Sequence, residues 1–323
     1  MTAPRTRPIL LQCLELPAAL AERQAQLNAL YQVVPFWQAA DQAAHLAQHR
    51  HEVNVLATSA FTPANADFLD QFPALQAICN LGVGYDNIDV AHAKKRGIVV
   101  SNTPDVLNDC VADLAWGLII ATLRGMGQAE RYVRAGQWTT RLAALPLAHR
   151  VTGKRLGIVG LGRIGLAITR RAQGFAMPVR YHNRRARHDV DFEYVDDLLT
   201  LAEWADVLVV TTTGGAQTKH LINAEVLRNL GANGFLINIA RGSVVDETAL
   251  THALQNGVIA GAGLDVYEFE PQIPAALLAL DNVVLMPHIG SATRETRQAM
   301  FDLLVDNLCD YAASGRLRTE VAG

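Results

Sequence analysis

An apolar run, Leu156-Gly157-Ile158-Val159, leads straight into Gly160-Leu161-Gly162-Arg163-Ile164-Gly165, and an amphipathic stretch from Leu166 to Gln173 follows at once. Glycines at this spacing, between strand-like and helix-like residues, leave few folds open. Gly160 permits a tight turn, Gly162 lets backbone approach a phosphate closely, and Gly165 lets the helix press against the strand. The start of the helix adds unpaired N–H groups and about half a positive charge, which favour an anion. The expected unit binds the pyrophosphate of a dinucleotide, with Gly160, Leu161, Gly162, Arg163, Ile164 and Gly165 against it.

Short runs of Val, Ile and Leu alternate with helical stretches through most of the chain. Ile9-Leu10-Leu11, Val53 to Leu56, Leu75 to Cys79 and Ile98-Val99-Val100 read as buried strands, with helices over Asp41 to His49 and Val90 to Arg96. From Asp105 to Arg134 the apolar spacing stays helical and predicts one long helix. Further strands are expected at Leu156 to Val159, Val179 to His182, Val207 to Thr211, Phe235 to Ile239, Ile259 to Gly263 and Val283 to Met286. Asn223 and Asp246 are placed as helix N-caps. This rhythm belongs to doubly wound parallel sheets. The 323 residues exceed one ordinary core, so two such α/β domains are expected.

Composition narrows the function. Half the residues are hydrophobic and 18% are charged, which is ample for buried cores. The net charge is −3 and no basic run stands out, so no nucleic-acid partner is expected. Cys13, Cys79, Cys110 and Cys309 lie far apart without a CxxC pair, which argues against zinc and disulfides and for reduced thiols in a cytoplasmic protein. No apolar stretch of signal-peptide type follows the start. The run Leu114 to Leu123 is about half the ~20 residues of a membrane span, so it reads as a buried helix and no membrane role is expected. Trp116 and Trp138 read as packing or interface residues, and His182 and His188 as exposed ones.

The choice of dinucleotide is written after the second strand of the glycine-loop unit. Val179 to His182 ends in Asn183-Arg184-Arg185, and no acid appears until Asp189. A carboxylate there would hold a ribose 2′-hydroxyl and repel a 2′-phosphate, whereas two guanidinium groups pair with the phosphate. NADPH is therefore expected over NADH.

Three segments follow strands of the same unit: Asn238-Ile239-Ala240-Arg241-Gly242, Gly263-Leu264-Asp265-Val266-Tyr267-Glu268-Phe269-Glu270-Pro271, and Pro287-His288-Ile289-Gly290-Ser291-Ala292-Thr293. Ligands of open α/β sheets bind outside the carboxyl ends of strands. With Gly82-Val83-Gly84-Tyr85-Asp86-Asn87-Ile88-Asp89, Val111-Ala112-Asp113 and the glycine motif, these segments make the chain resemble the D-isomer-specific 2-hydroxyacid dehydrogenases over nearly its whole length. Within that family it is most similar to the glyoxylate/hydroxypyruvate and hydroxyphenylpyruvate reductases. The resemblance implies Arg241 as the carboxylate-binding arginine, His288 as general acid/base, Glu270 as its partner, and Val83 and Gly84 as a substrate-carboxylate loop. It adds Thr212, Ala240, Asp265 and Gly290 to the cofactor contacts. Asn108-Asp109-Cys110, and a loop Thr211 to Gly215 without proline, depart from the family pattern.

The chemistry suits these types. Hydride attack on a ketone leaves charge on its oxygen, and a protonated imidazole can donate as that charge develops. Free imidazole has a pKa of about 6.5, so a nearby carboxylate helps it stay charged. Arg241 offers a planar fork for a carboxylate.

The family further implies a dinucleotide domain over 102–288, a substrate domain from 1–101 plus 289–323, substrate in the cleft between them, and a homodimer built on the long helix and the arm through Trp138. Two alternatives remain: a dehydrogenase for another 2-hydroxy acid, and a non-catalytic dinucleotide sensor or corepressor. A phosphoglycerate dehydrogenase is disfavoured because Ala57-Thr58-Ser59-Ala60-Phe61 carries no basic residue and no regulatory domain is expected beyond Gly323.

Overall fold

The computed structural model describes residues 7–62 and 64–321. The chain divides into two compact units: Asn108–Ala292, and the residues before and after it.

The first unit holds a parallel sheet of β1 (Ile9–Gln12), β2 (Gln32–Pro35), β3 (Val53–Ser59), β4 (Ala77–Leu81) and β5 (Val99–Ser101), in the order β2-β1-β3-β4-β5. That is the flavodoxin-like order. β1 and β4 are buried throughout, which is why they read as continuous apolar runs. Helices α1 (Ala21–Leu30), α2 (Gln42–His49), α3 (Ala66–Leu69) and α4 (Val90–Lys95) connect the strands. Asp41, Asn65 and Asp89 cap the last three by accepting from backbone N–H groups. Neither α1 nor β2 was legible in advance: α1 has too weak an apolar face, and β2 is a half-exposed edge strand.

The second unit begins with α5 (Asn108–Leu123) and α6 (Met126–Arg134). Its parallel sheet contains β6 (Leu156–Val159), β7 (Val179–His182), β8 (Glu193–Tyr194), β9 (Val207–Val210), β10 (Phe235–Asn238), β11 (Gly261–Leu264) and β12 (Val283–Leu285). The order is β12-β11-β10-β9-β6-β7-β8. Helices α7 (Arg163–Ala172), α8 (Leu198–Trp204), α9 (Ala224–Leu230), α10 (Glu247–Gln255) and α11 (Ala275–Leu278) complete it. Asn223 and Asp246 cap α9 and α10 as expected. The strand order reverses at β6, so the glycine loop opens at a topological switch point. The last helix, α12 (Arg294–Ser314), returns to the first unit, where the Leu308 carbonyl accepts from the buried Tyr31 hydroxyl at 2.6 Å.

Two expectations are corrected. The long helix from Asp105 to Arg134 is two helices bent by 67°, because Gly125 sits at φ +58° and ends the first. Helical spacing persists across the break, so periodicity could not reveal it. His182 is half-buried rather than exposed, with Nδ1 3.0 Å from the Val195 carbonyl oxygen. No single helix among the described residues is long and apolar enough to cross a membrane. The apolar run in α5 is spent inside its own unit. Trp116 stacks on Phe175 at 4.4 Å and donates from Nε1 to the Ile168 carbonyl at 3.0 Å.

Two glycines separate backbone strain from crowding. A Cβ on Gly125 meets nothing within 4 Å, so Gly125→Ala carries only the left-handed backbone cost of about 1–2 kcal/mol. A Cβ on Gly263 lies 2.8 Å from Thr122 Oγ1, 3.0 Å from Ile237 Cδ1 and 3.1 Å from Leu118 Cβ. Gly263→Ala should add overpacking of about 1–3 kcal/mol and push α5 off the sheet. Thermal unfolding should show both midpoints lowered. An unchanged midpoint for Gly263→Ala would contradict this packing.

Candidate active site

The glycine loop forms where β6 ends. Gly160 takes φ +97°, and a Cβ there would lie 2.5 Å from the Thr212 nitrogen. Gly165 is pressed between the Gly160 carbonyl oxygen at 3.1 Å, Thr211 Oγ1 at 3.2 Å and Ile158 Cγ2 at 3.3 Å. Gly162 is different: it is exposed, and a Cβ would find nothing nearer than 4.0 Å. Gly162 is also the N-cap of α7, whose first turn has no side-chain cap. The tight positions pack the loop, and the open one leaves room over a helix start whose dipole favours an anion. These residues fit a dinucleotide pyrophosphate. Thr212 is half-buried beside Gly160, and Ala240 is buried at the end of β10.

The basic loop after β7 lies against the same turn. Asn183 Oδ1 accepts from the Leu161 N–H at 2.7 Å. Arg184 and Arg185 are both exposed, and Arg184 reaches the Gln217 side-chain oxygen at 2.9 Å. Asp189, the nearest following acid, is turned away from them onto Arg187. The hydrogen bond from Arg187 holds the Asp189 carboxyl below its usual range.

The three loops after β10, β11 and β12 converge within the second unit. Asn238, buried in β10, accepts from the Ala240 N–H at 3.1 Å and donates to the Arg241 carbonyl at 3.0 Å. This fixes the turn carrying Arg241, whose Nη1 donates to the Ala240 carbonyl at 2.8 Å. A Cβ on Gly242 would fall 1.8 Å from the Tyr267 carbonyl carbon, so the Arg241 turn lies directly on the Tyr267–Glu268 peptide. Glu270 Oε1 accepts from the Tyr267 N–H at 3.0 Å, and its Oε2 lies 2.8 Å from His288 Nδ1. Burial works against charge on Glu270. The His288 hydrogen bond, the Tyr267 N–H and the His288 and Arg241 charges outweigh it, and hold the carboxyl below the usual glutamate range. His288 itself takes φ +55°, a conformation a residue of its kind holds only under constraint.

That constraint comes from Asp265, which is 2% exposed. Its Oδ1 accepts from the Ile289 N–H at 2.7 Å and its Oδ2 from the Gly290 N–H at 2.8 Å. Burial leaves the Asp265 carboxyl raised although both N–H groups oppose the rise. Asp265, which the family resemblance places by the cofactor, anchors the backbone just after His288.

Sequence reasoning missed a second pair. His220, also at positive φ, lies with Nε2 2.8 Å from Glu268 Oε1, tying the loop after β9 to the Glu270 segment. Its only advance signal was a His at a helix-free position, too common to read.

In the first unit, Val83 and Gly84 lie in a turn whose carbonyls are all committed. Asn80 Nδ2 donates to the Gly82 and Gly84 carbonyls at 3.3 and 3.0 Å, and Asn102 Nδ2 to Val83 at 2.8 Å. No hydrogen bond engages the N–H of Val83 or Gly84 among the described residues. Fixed carbonyls with unengaged N–H groups suit a carboxylate.

Comparison with known proteins agrees with this chemistry. The family described as "D-isomer specific 2-hydroxyacid dehydrogenase, NAD binding domain" matches residues 116–290. A glyoxylate/hydroxypyruvate reductase of Arabidopsis thaliana is 42% identical over 296 residues, covering 92% of this chain and 94% of the relative. A hydroxyphenylpyruvate reductase of Plectranthus scutellarioides is 41% identical over 298 residues, covering 92% and 95%. Among solved structures, an NADPH-dependent glyoxylate/hydroxypyruvate reductase from Sinorhizobium meliloti, in complex with NADP and malonate, matches with a TM-score of 0.88 and 44% identity, covering 98% and 97%. A dinucleotide-dependent oxidoreductase is thus written in sequence, fold and likeness alike, and the chain belongs to the D-isomer specific 2-hydroxyacid dehydrogenase family.

Proposed function

We propose that this chain is an NADPH-preferring reductase of small 2-oxo acids of the glyoxylate and hydroxypyruvate kind, yielding D-2-hydroxy acids. The observation that carries the reading is the 2.8 Å contact of His288 Nδ1 with Glu270 Oε2, with Arg241 close enough to stabilise the same carboxylate. The names of the relatives described above support the substrate class. The absence of a disulfide among the described residues fits a reducing, cytoplasmic setting.

In this reading the Asn108–Ala292 unit holds the dinucleotide, with Gly160–Gly165, Asn183, Arg184, Arg185, Thr212, Ala240, Asp265 and Gly290 around it. Bound there, the dinucleotide supplies the hydride. Arg241 binds the substrate carboxylate and draws charge from the neighbouring carbonyl. The first unit offers a carboxylate-binding feature of its own, the N–H groups of Val83 and Gly84. With Nδ1 committed to Glu270, His288 passes its proton to the substrate oxygen through Nε2. Glu270 fixes the ring and balances its charge, while Asp265 keeps the His288 backbone in place.

The assembly proposed is a homodimer on the α5–α6 pair and the arm through Trp138; α5 buries one face in its unit and leaves Asp109, Asp113 and Gly117 exposed. The barest apolar part of that surface is the arm, where Trp138, Leu142 and Leu147 are 58%, 85% and 97% exposed. Apolar side chains so bare along one segment suit a second copy of the chain.

Loss of reduced-dinucleotide absorbance on adding glyoxylate or hydroxypyruvate tests the activity directly. His288→Ala should lower turnover about a hundredfold or more, with dinucleotide affinity by fluorescence near native. Since its carboxyl is depressed, Glu270 stays ionised through neutral pH, and the pair is lost only as pH falls through that lowered value. Reduction draws a proton from His288 and oxidation returns one to it, so both directions should lose rate at acid pH where Glu270 is protonated and the pair is broken. Glu270→Gln, which removes the charge at every pH, should lower turnover in both directions and abolish that acid limb. Near-native reduction by His288→Ala would refute the mechanism. Losing both Arg184 and Arg185 should weaken NADPH binding at least about tenfold and spare NADH, each charged hydrogen bond contributing about 1.5–3 kcal/mol. Equal use of both dinucleotides by the native enzyme would count against that preference. Light scattering at micromolar concentration should return twice the chain mass; a monomer would rule out the dimer.

A further inference from the structure

Three arginines follow β7, and they are not equivalent. Arg184 and Arg185 are exposed at the loop surface. Arg187 is folded back into the protein. Its Nε lies 2.9 Å from Asp189 Oδ1 and its Nη2 2.5 Å from Asp189 Oδ2, a two-pronged pair that occupies one edge of the fork. The remaining Nη1 donates to the Leu161 carbonyl at 3.0 Å, inside the glycine loop. The backbone of Arg187 is fixed as well: its N–H donates to the hydroxyl of fully buried Tyr181 at 2.8 Å, and that hydroxyl donates to the Arg187 carbonyl at 3.3 Å.

The Leu161 peptide needs such a hold. It joins Gly162, which has no side chain and open space above it, so sterics do little to oppose rotation of the peptide plane; its N–H end is held by the Gly160 carbonyl at 2.7 Å, and its carbonyl end is left to side chains. A rotated plane would turn a carbonyl oxygen toward an anionic ligand. Asn183 grips the N–H of Leu161 at 2.7 Å, and its Nδ2 only weakly reaches the carbonyl at 3.4 Å. Arg187 supplies the short, charged contact to that oxygen.

We propose that Arg187 is a positioning residue of the dinucleotide site: by clamping the Leu161 carbonyl, with Asp189 as its brace, it sets the glycine loop for the pyrophosphate shared by NADPH and NADH. It does not read the 2′-phosphate, because the Nε–Nη2 edge of its fork is committed to Asp189 and its Nη1 to the Leu161 carbonyl. The proposal rests on Gly160–Gly165 being the pyrophosphate loop. It divides the basic segment into two tasks, with Arg184 and Arg185 discriminating between dinucleotides and Arg187 supporting both.

The test is dissociation constants for NADPH and NADH, measured by fluorescence on the whole protein without substrate, beside the thermal midpoint of the unliganded form. Arg187→Gln should weaken both dinucleotides in the same proportion, about tenfold, leaving their ratio unchanged. A loss confined to NADPH would make Arg187 a phosphate ligand and overturn the proposal, as would no loss at all. If Arg187→Gln lowers the midpoint, Asp189→Asn keeps the guanidinium and removes only its brace. A smaller but equal loss for both dinucleotides supports the clamp, and a gain for NADPH alone overturns it. The Arg184→Gln/Arg185→Gln protein belongs in the same series. If its NADPH affinity is unchanged, the proposed preference fails while the clamp stands. If the native protein binds neither dinucleotide, the loop reading fails before any variant is compared.

Discussion

Gly242 rests on the Tyr267–Glu268 peptide so closely that no side chain fits between them. That one backbone approach joins the turn carrying Arg241 to the segment carrying Glu270. It lets two charges of opposite sign share a neighbourhood although they leave different strands. Tyr267 extends the link, donating its N–H to Glu270 and its hydroxyl to the Met286 carbonyl at 2.9 Å, two residues before His288. The ends of β10, β11 and β12 are thus held by backbone groups and buried polar side chains. Such satisfied buried contacts are rigid, because breaking any one leaves an unpaired polar group away from water.

The same residue type is used in different ways according to how many of its donors are engaged. Arg187 has its fork filled by Asp189 and its last nitrogen on a carbonyl, so it acts as a structural clamp. Arg171 pairs with Asp109 and Asp113 and fastens α7 to α5. Pairs this exposed contribute at most about 1 kcal/mol each, so their value lies in registering the two helices rather than in stability. Arg184 and Arg185 keep their charge at the surface. A count of arginines after β7 could not have separated these tasks, since all three are near one another in the chain and carry the same charge.

Carboxylates divide in a similar way. Asp265 and Glu270 stand five residues apart in one segment, yet burial leaves Asp265 raised while the imidazole and Arg241 hold Glu270 depressed. Asp265 spends both oxygens on backbone N–H groups, and Glu270 spends one on backbone and one on the ring. One carboxylate shapes the backbone, and the other meets the imidazole.

What the sequence determined by itself was local. Apolar runs named the buried strands, Asn223 and Asp246 named their helix starts, and the glycine spacing named the turn between β6 and α7. These follow from short-range rules of burial, capping and sterics, so residues a few positions apart suffice to state them. The family resemblance then supplied the candidates Arg241, Glu270 and His288. Only the tertiary structure decided what faces what. The His288–Glu270, Asp265–Gly290 and Arg187–Leu161 bonds join residues 18, 25 and 26 positions apart. The bend at Gly125 depends on one φ angle, and the unforeseen β2 and β8 are held by sheet neighbours. Side-chain direction and register across such separations are set by how strands stack and loops pack, and no short stretch of sequence contains that information.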